Sequence, residues 1–128
     1  MSDPCILLSG VTISSDEELV NKLKKSAMIL RNLDNSKIES IMRAQKVDLI
    51  LIEILREKPS EIRFIQKVTD GFPEATIILI DGDGERDLTA MAFKCGAKDA
   101  FRKPYMSDLI VEKVNAILGR RNANNITD

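Results

Sequence analysis

Glu53, Asp81 and Lys103 are the residues best placed to do chemistry, each at or just beyond the carboxyl end of an apolar run. A carboxylate reaching a lysine makes a charge-assisted contact, and a few carboxylates together hold an adventitious cation. Asp83, in the stretch Asp81-Gly82-Asp83-Gly84-Glu85, would join Glu53 and Asp81 in such a set. The full calcium-loop pattern fails, because Arg86 stands at the turn-glycine position and Ala92 at the twelfth. The expectation for that stretch is a solvated loop leading into a helix. There is no histidine, which removes phosphohistidine chemistry, histidine-based triads and the commonest general base. Cys5 and Cys95 share no metal-ligand spacing and read as reduced thiols in or near the core.

The elements that position these groups follow from changes in apolar period. Short buried runs at Cys5–Leu8, Met28–Leu30, Val47–Ile54, Thr76–Ile80 and Ala100-Phe101 read as strands. Between them lie helical stripes: Leu19, Leu23 and Ala27; Ile38, Ile41 and Met42; Ile62, Ile65 and Val68; Leu88, Met91, Ala92 and Cys95. A fifth stripe, Ile110, Val114, Ile117 and Leu118, follows Pro104 and a cap at Ser107. Ser15 to Glu18 and Ser36 to Glu39 have capping-box spacing, so Ser14 and Ser15 are expected as helix caps rather than modification targets. Gly71 and Gly96 are placed to end helices. Val47–Ile54 is almost continuously apolar, as a central parallel strand covered on both faces must be.

Five strands alternating with five helices give an α/β fold: a flavodoxin-like (βα)5 doubly wound parallel sheet, order 2-1-3-4-5. Its ligand edge lies beyond the carboxyl ends of the strands, at Ser9-Gly10, Glu53, Asp81 and Lys103. The 128 residues carry a net charge of −1, with 44% apolar and 30% charged, enough for one self-supporting core. Residues 1–121 are expected to form the domain and 122–128 a frayed polar tail. Gly119-Arg120-Arg121 is too small a basic cluster to imply nucleic acid binding. No apolar run approaches the ~20 residues of a membrane span, and Met1-Ser2-Asp3-Pro4 lacks the basic stretch of a signal peptide. A cytoplasmic protein is expected.

Two segments carry a family resemblance. Val47-Asp48-Leu49-Ile50-Leu51-Ile52-Glu53-Ile54 resembles the third strand of response regulator receiver domains, which normally ends in a phosphoacceptor aspartate. Cys95-Gly96-Ala97-Lys98-Asp99-Ala100-Phe101-Arg102-Lys103-Pro104 resembles their fifth-strand region, with its Lys-Pro pair. The resemblance covers nearly the whole chain and implies a cis peptide at Lys103-Pro104. It also implies a phosphoryl-transfer kit of acceptor carboxylate, acidic pair holding Mg²⁺, hydroxyl and lysine.

Most of that kit is altered. Ser9-Gly10 replaces the acidic pair, so Mg²⁺ binding is expected to be weak or absent, with no other metal or cofactor. Glu53 at the acceptor position carries its carboxylate about one methylene, ~1.5 Å, further out. A misplacement of about 1 Å can cost ~100-fold in a positioned reaction. Asp81 stands at the hydroxyl position, and when ionised cannot donate a hydrogen bond. Ala100 stands at the aromatic switch position, and Phe101, one residue later, points to the opposite face. Only Lys103 survives.

The resemblance therefore implies an atypical receiver, a pseudo-receiver that is not an enzyme. It would work in signal transduction as a phosphorylation-independent interaction module. Glu53 then either imitates a phosphorylated aspartate toward Lys103 or merely satisfies that lysine. Protein partners or a second copy would use the face of helix four, strand five and helix five: Arg86, Lys94, Lys98, Arg102, exposed Tyr105, Glu112 and Asn115. Two alternatives stay open: a phosphoacceptor domain using another carboxylate, such as Asp81, and a flavodoxin-like domain for a small ligand or metal.

Overall fold

The computed structural model describes residues 3–55, 59–82 and 89–126. Along the chain run β1 (Cys5–Ser9), α1 (Glu17–Leu23), β2 (Met28–Asn32), α2 (Ile38–Ala44) and β3 (Leu49–Ile54). They are followed by α3 (Pro59–Gly71), β4 (Thr76–Asp81), α4 (Thr89–Cys95), β5 (Asp99–Arg102) and α5 (Ser107–Ile126). All strand pairs are parallel and the order is β2-β1-β3-β4-β5, as expected from the alternation of elements.

Alternating side chains feed two separate cores. Leu49 and Leu51 join Ile6, Leu8, Ile78 and Ile80 against Leu19, Val20 and Leu23 of α1 and Ile110, Val114 and Ile117 of α5. Ile50, Ile52 and Ile54 join Leu7, Ile77 and Leu79 on the other face, under α2, α3 and α4. This two-sided burial explains why β3 has almost no polar position. Glu53 interrupts the run one residue before the end of β3, at the rim of the sheet. No helix of the described residues is long and apolar enough to cross a membrane.

The boundaries differ from expectation where several polar residues compete to cap. Asp16, not Ser15, caps α1, accepting from the Leu19 N–H at 3.1 Å. Ser14 and Ser15 lie in a short 3₁₀ turn, Ile13–Ser15, and their hydroxyls turn back to the carbonyls of Gly10 (2.6 Å) and Val11 (2.8 Å). Asp34 rather than Ser36 opens the next helical segment, taking the Ser36 N–H onto its carboxylate at 2.9 Å. Ala27 is buried but lies beyond the end of α1. β3 begins at Leu49, because Asp48 closes the lower edge by accepting from the Cys5 N–H at 2.8 Å. The backbone of α5 continues to Ile126, into the segment expected as a tail; no residue after Gly119 is a helix breaker. Asp83, Glu85, Arg86 and Leu88 lie outside the described residues.

Gly96 ends α4 in a left-handed conformation, φ +83°, and the Ala97 N–H returns to the Ala92 carbonyl at 2.8 Å. A Cβ there would stand 2.7 Å from Thr69 Cγ2. Gly96→Ala is predicted to lower stability by about 1–2 kcal/mol from backbone conformation alone, measured by urea denaturation.

Candidate functional site

At the carboxyl rim of the sheet, Glu53 turns its side chain towards the loop between β1 and α1. It is 3% exposed. A carboxylate so buried must receive hydrogen bonds, because losing its water without replacement is costly. Four donors from two loops supply them. Glu53 Oε1 accepts from the backbone N–H groups of Thr12 (2.9 Å) and Ile13 (3.2 Å). Glu53 Oε2 accepts from the Thr12 hydroxyl and from Lys103 Nζ, the latter at 3.2 Å. Lys103 Nζ also donates to Thr12 Oγ1, so Thr12 bridges the pair.

Burial alone pushes the Glu53 carboxyl up. The Thr12 hydroxyl, the Ile13 and Thr12 N–H groups and the Lys103 charge outweigh it and hold the group below its ordinary value. The side chain fits only because two neighbours lack a Cβ. A Cβ on Gly10 would lie 2.4 Å from Glu53 Cβ and 2.6 Å from its Oε1. One on Gly82 would lie 2.6 Å from Oε2. Gly10, at φ +130°, also gives the chain the turn that brings Thr12 over the carboxylate.

The other residues singled out in the sequence fall into separate groups. Ser9 is fully buried but faces β2 and the loop after it, donating to Asn35 Oδ1 at 2.6 Å and accepting from Asn32 Nδ2 at 2.9 Å. Asn35 Nδ2 in turn donates to the Glu53 carbonyl at 3.0 Å, so this network braces the end of β3. Asp81 is fully buried at the end of β4, and its carbonyl accepts from the Lys103 N–H at 3.2 Å. The Lys103-Pro104 peptide is cis. Ala100 and Phe101 pack on opposite faces of the sheet. Cys5 and Cys95 are free, buried thiols.

Lys94, Lys98, Arg102 and Glu112 are exposed, while Arg86 lies outside the described residues. Two members of the expected face sit differently. Tyr105 is half-buried rather than exposed: its hydroxyl donates to Asp16 Oδ2 at 2.6 Å, and burial followed by that carboxylate pushes the phenol pKa up. The bond ties the loop after β5 to the cap of α1. Asn115 accepts from Ser26 Oγ at 3.2 Å and so faces the end of α1. Sequence reasoning missed Thr12, whose role depends on the turn at Gly10. It also missed the exposed apolar side chains of Phe93 (74%), Met106 (66%) and Leu109 (51%) on α4 and around the start of α5.

No protein-family model matches the chain. Chemotaxis protein CheY of Thermotoga maritima is 29% identical over 72 residues, 56% of this chain and 60% of that protein. The chain thus matches less than two thirds of that relative's length. A response regulator from Thermotoga maritima superposes with a TM-score of 0.79 at 20% identity, covering 91% of this chain and 98% of that one. A CheY-like receiver domain protein from Methanospirillum hungatei gives 0.79 at 15% identity, covering 96% and 99%. The fold is that of response regulator receiver domains. Within the receiver fold, the rim at β1, β3 and β5 is where function would be read, but fold alone does not supply it.

Two predictions test this site. Adding a methyl by Gly82→Ala, which would meet Glu53 Oε2 at 2.6 Å and Cγ at 3.1 Å, should destabilise the protein, and markedly less so in a Glu53→Ala background, with a coupling on the order of 1 kcal/mol in a double-mutant cycle. A carboxyl held below its unfolded value contributes stability that is present above the unfolded pKa and lost as pH falls through the folded one. Denaturation midpoints between pH 7 and ~3 should therefore fall less steeply for Glu53→Gln than for the wild type.

Proposed function

We propose that this receiver-fold chain acts in cytoplasmic signal transduction as a phosphorylation-independent interaction module and not as an enzyme. The observation that carries this reading is that the Glu53 carboxylate already holds Lys103 through a direct 3.2 Å contact and the Thr12 bridge. A receiver reaches such a lysine contact through a phosphoryl group; here the side chain supplies its own anion. The site is then held in one state by a charge-assisted network.

Mg²⁺ binding is proposed to be weak or absent. A hard cation needs several oxygen ligands, yet the Glu53 oxygens face N–H, hydroxyl and ammonium donors. Ser9 is turned onto Asn32 and Asn35, and Gly10 offers no side chain. Asp81 is fully buried, which disfavours it as an alternative acceptor.

Output would pass through a protein partner or a second copy at the face of α4, β5 and α5. Lys94, Lys98 and Arg102 supply charge there, and Phe93, Met106 and Leu109 supply apolar contact. Tyr105, tied to Asp16, acts as a brace for that face rather than an anchor.

The test is a backbone amide NMR titration of the wild type with Mg²⁺, then with Mg²⁺ plus beryllofluoride as a phosphoryl mimic. Resonances of Ser9, Glu53, Asp81 and Lys103 should not move; movement spreading to α4 and β5 would establish a working phosphoryl switch instead. For the interaction face, Lys94→Glu and Arg102→Glu should each weaken partner binding or self-association by about tenfold or more. Unchanged binding in both would remove this face from the proposal.

A further inference from the structure

We infer that the loop after β1, together with Lys103, forms a carboxylate-binding cradle that accepts a free small carboxylate once the Glu53 side chain is shortened. The inference deepens the proposed function and rests on its reading of this rim as an anion site rather than a cation site. The geometry suits a planar carboxylate. One oxygen receives two backbone N–H groups, at 2.9 and 3.2 Å, and the other receives a hydroxyl and an ammonium group. Each oxygen thus has two donors, close to what a carboxylate oxygen can accept.

The walls are equally specific. Bare backbone at Gly10 and Gly82 approaches the Glu53 side chain on two sides, closely enough that a Cβ at either would stand within 2.6 Å of it. With the side chain truncated, the same walls enclose the space of the missing methylene and carboxyl groups. The four donors that now meet Glu53 (the Thr12 and Ile13 N–H groups, the Thr12 hydroxyl and Lys103) stay around that space and favour a small anion in it, against the carboxylates of Asp34 and Glu61 that line the adjoining depression.

Entry is available from the side. One surface depression reaches Glu53 itself, between Gly10, Thr12 and Asn35 with Asp34 and Glu61 on its rim, and a second, lined by Thr12, Asp16, Lys103, Pro104 and Tyr105, opens beside Lys103. Asp16 is the carboxylate at the second mouth, and its two oxygens are already engaged, one by the Leu19 N–H (3.1 Å) and one by the Tyr105 hydroxyl (2.6 Å). In the wild type the tethered Glu53 carboxylate excludes free ones, because an intramolecular ligand has the advantage of effective concentration.

The experiment uses the full chain carrying Glu53→Ala, titrated with sodium formate and, separately, with sodium chloride at matched ionic strength and with Mg²⁺. The expected result is saturable movement of the Thr12 and Ile13 amide resonances with formate alone, accompanied by a higher thermal midpoint. In Glu53→Ala/Lys103→Met the formate affinity should fall at least tenfold. If Glu53→Ala does not fold by itself, refolding driven by formate beyond the effect of chloride is the readout. Formate acting no better than chloride, or Mg²⁺ moving the Thr12 and Ile13 amides, overturns the inference. Failure of the two proposals is separable: the proposed function depends on the wild type ignoring Mg²⁺ and beryllofluoride, the cradle on the variant accepting formate.

Discussion

A carboxylate at 3% exposure is the constraint around which the carboxyl rim of this sheet is organised. Placed at the end of the central strand, Glu53 cannot keep its water, and burying its charge without donors would cost several kcal/mol. The chain meets this with two amides and a hydroxyl from the loop after β1 and an ammonium group from the residue after β5. These donors belong to loops widely separated in sequence, so satisfying one side chain pins both loops to the middle of the sheet. Gly10 and Gly82 complete the arrangement by leaving room for it.

The pinning extends beyond the carboxylate. Two residues after Lys103 comes Tyr105, whose hydroxyl reaches the Asp16 cap of α1. Lys22 of α1 donates to Ser107 Oγ at 2.8 Å and pairs with Asp108 at 2.7 Å at the start of α5. The Lys22–Asp108 pair is exposed on its acidic side and contributes little by itself. Its value is positional: it continues the line of contacts from the rim along the α1–α5 seam, over the core built by Leu19, Leu23, Ile110 and Val114. This line of contacts joins the Glu53 site to the loop that leads from β5 into α5.

Much of the fold could be read from the sequence because its signals are strong and local. Continuous apolar runs such as Leu49–Ile52 have few alternatives to a central parallel strand, and the glycine at 96 requires only a helix end. The places of Glu53 and Lys103 followed from counting along those strands. Thr12 could not be found that way, because its role exists only after Gly10 turns the chain at φ +130°. The capping residues were ambiguous for a related reason. Ser14, Ser15 and Asp16 are all competent caps, and the choice was made by the carbonyls of Gly10 and Val11, which claim the two serines. Tyr105 looked like a surface anchor until its partner Asp16, 89 positions away, was placed beside it.

The most direct measurement is a ¹³C NMR titration of the Glu53 side-chain carboxyl, in the wild type and in Lys103→Met. The expected result is a Glu53 titration below the ordinary glutamate range of about 4.3, moving upward when the Lys103 charge is removed. A Glu53 carboxyl that titrates at or above that range, or that ignores the loss of Lys103, would contradict the claim that this buried anion is held by its donors and organises the rim.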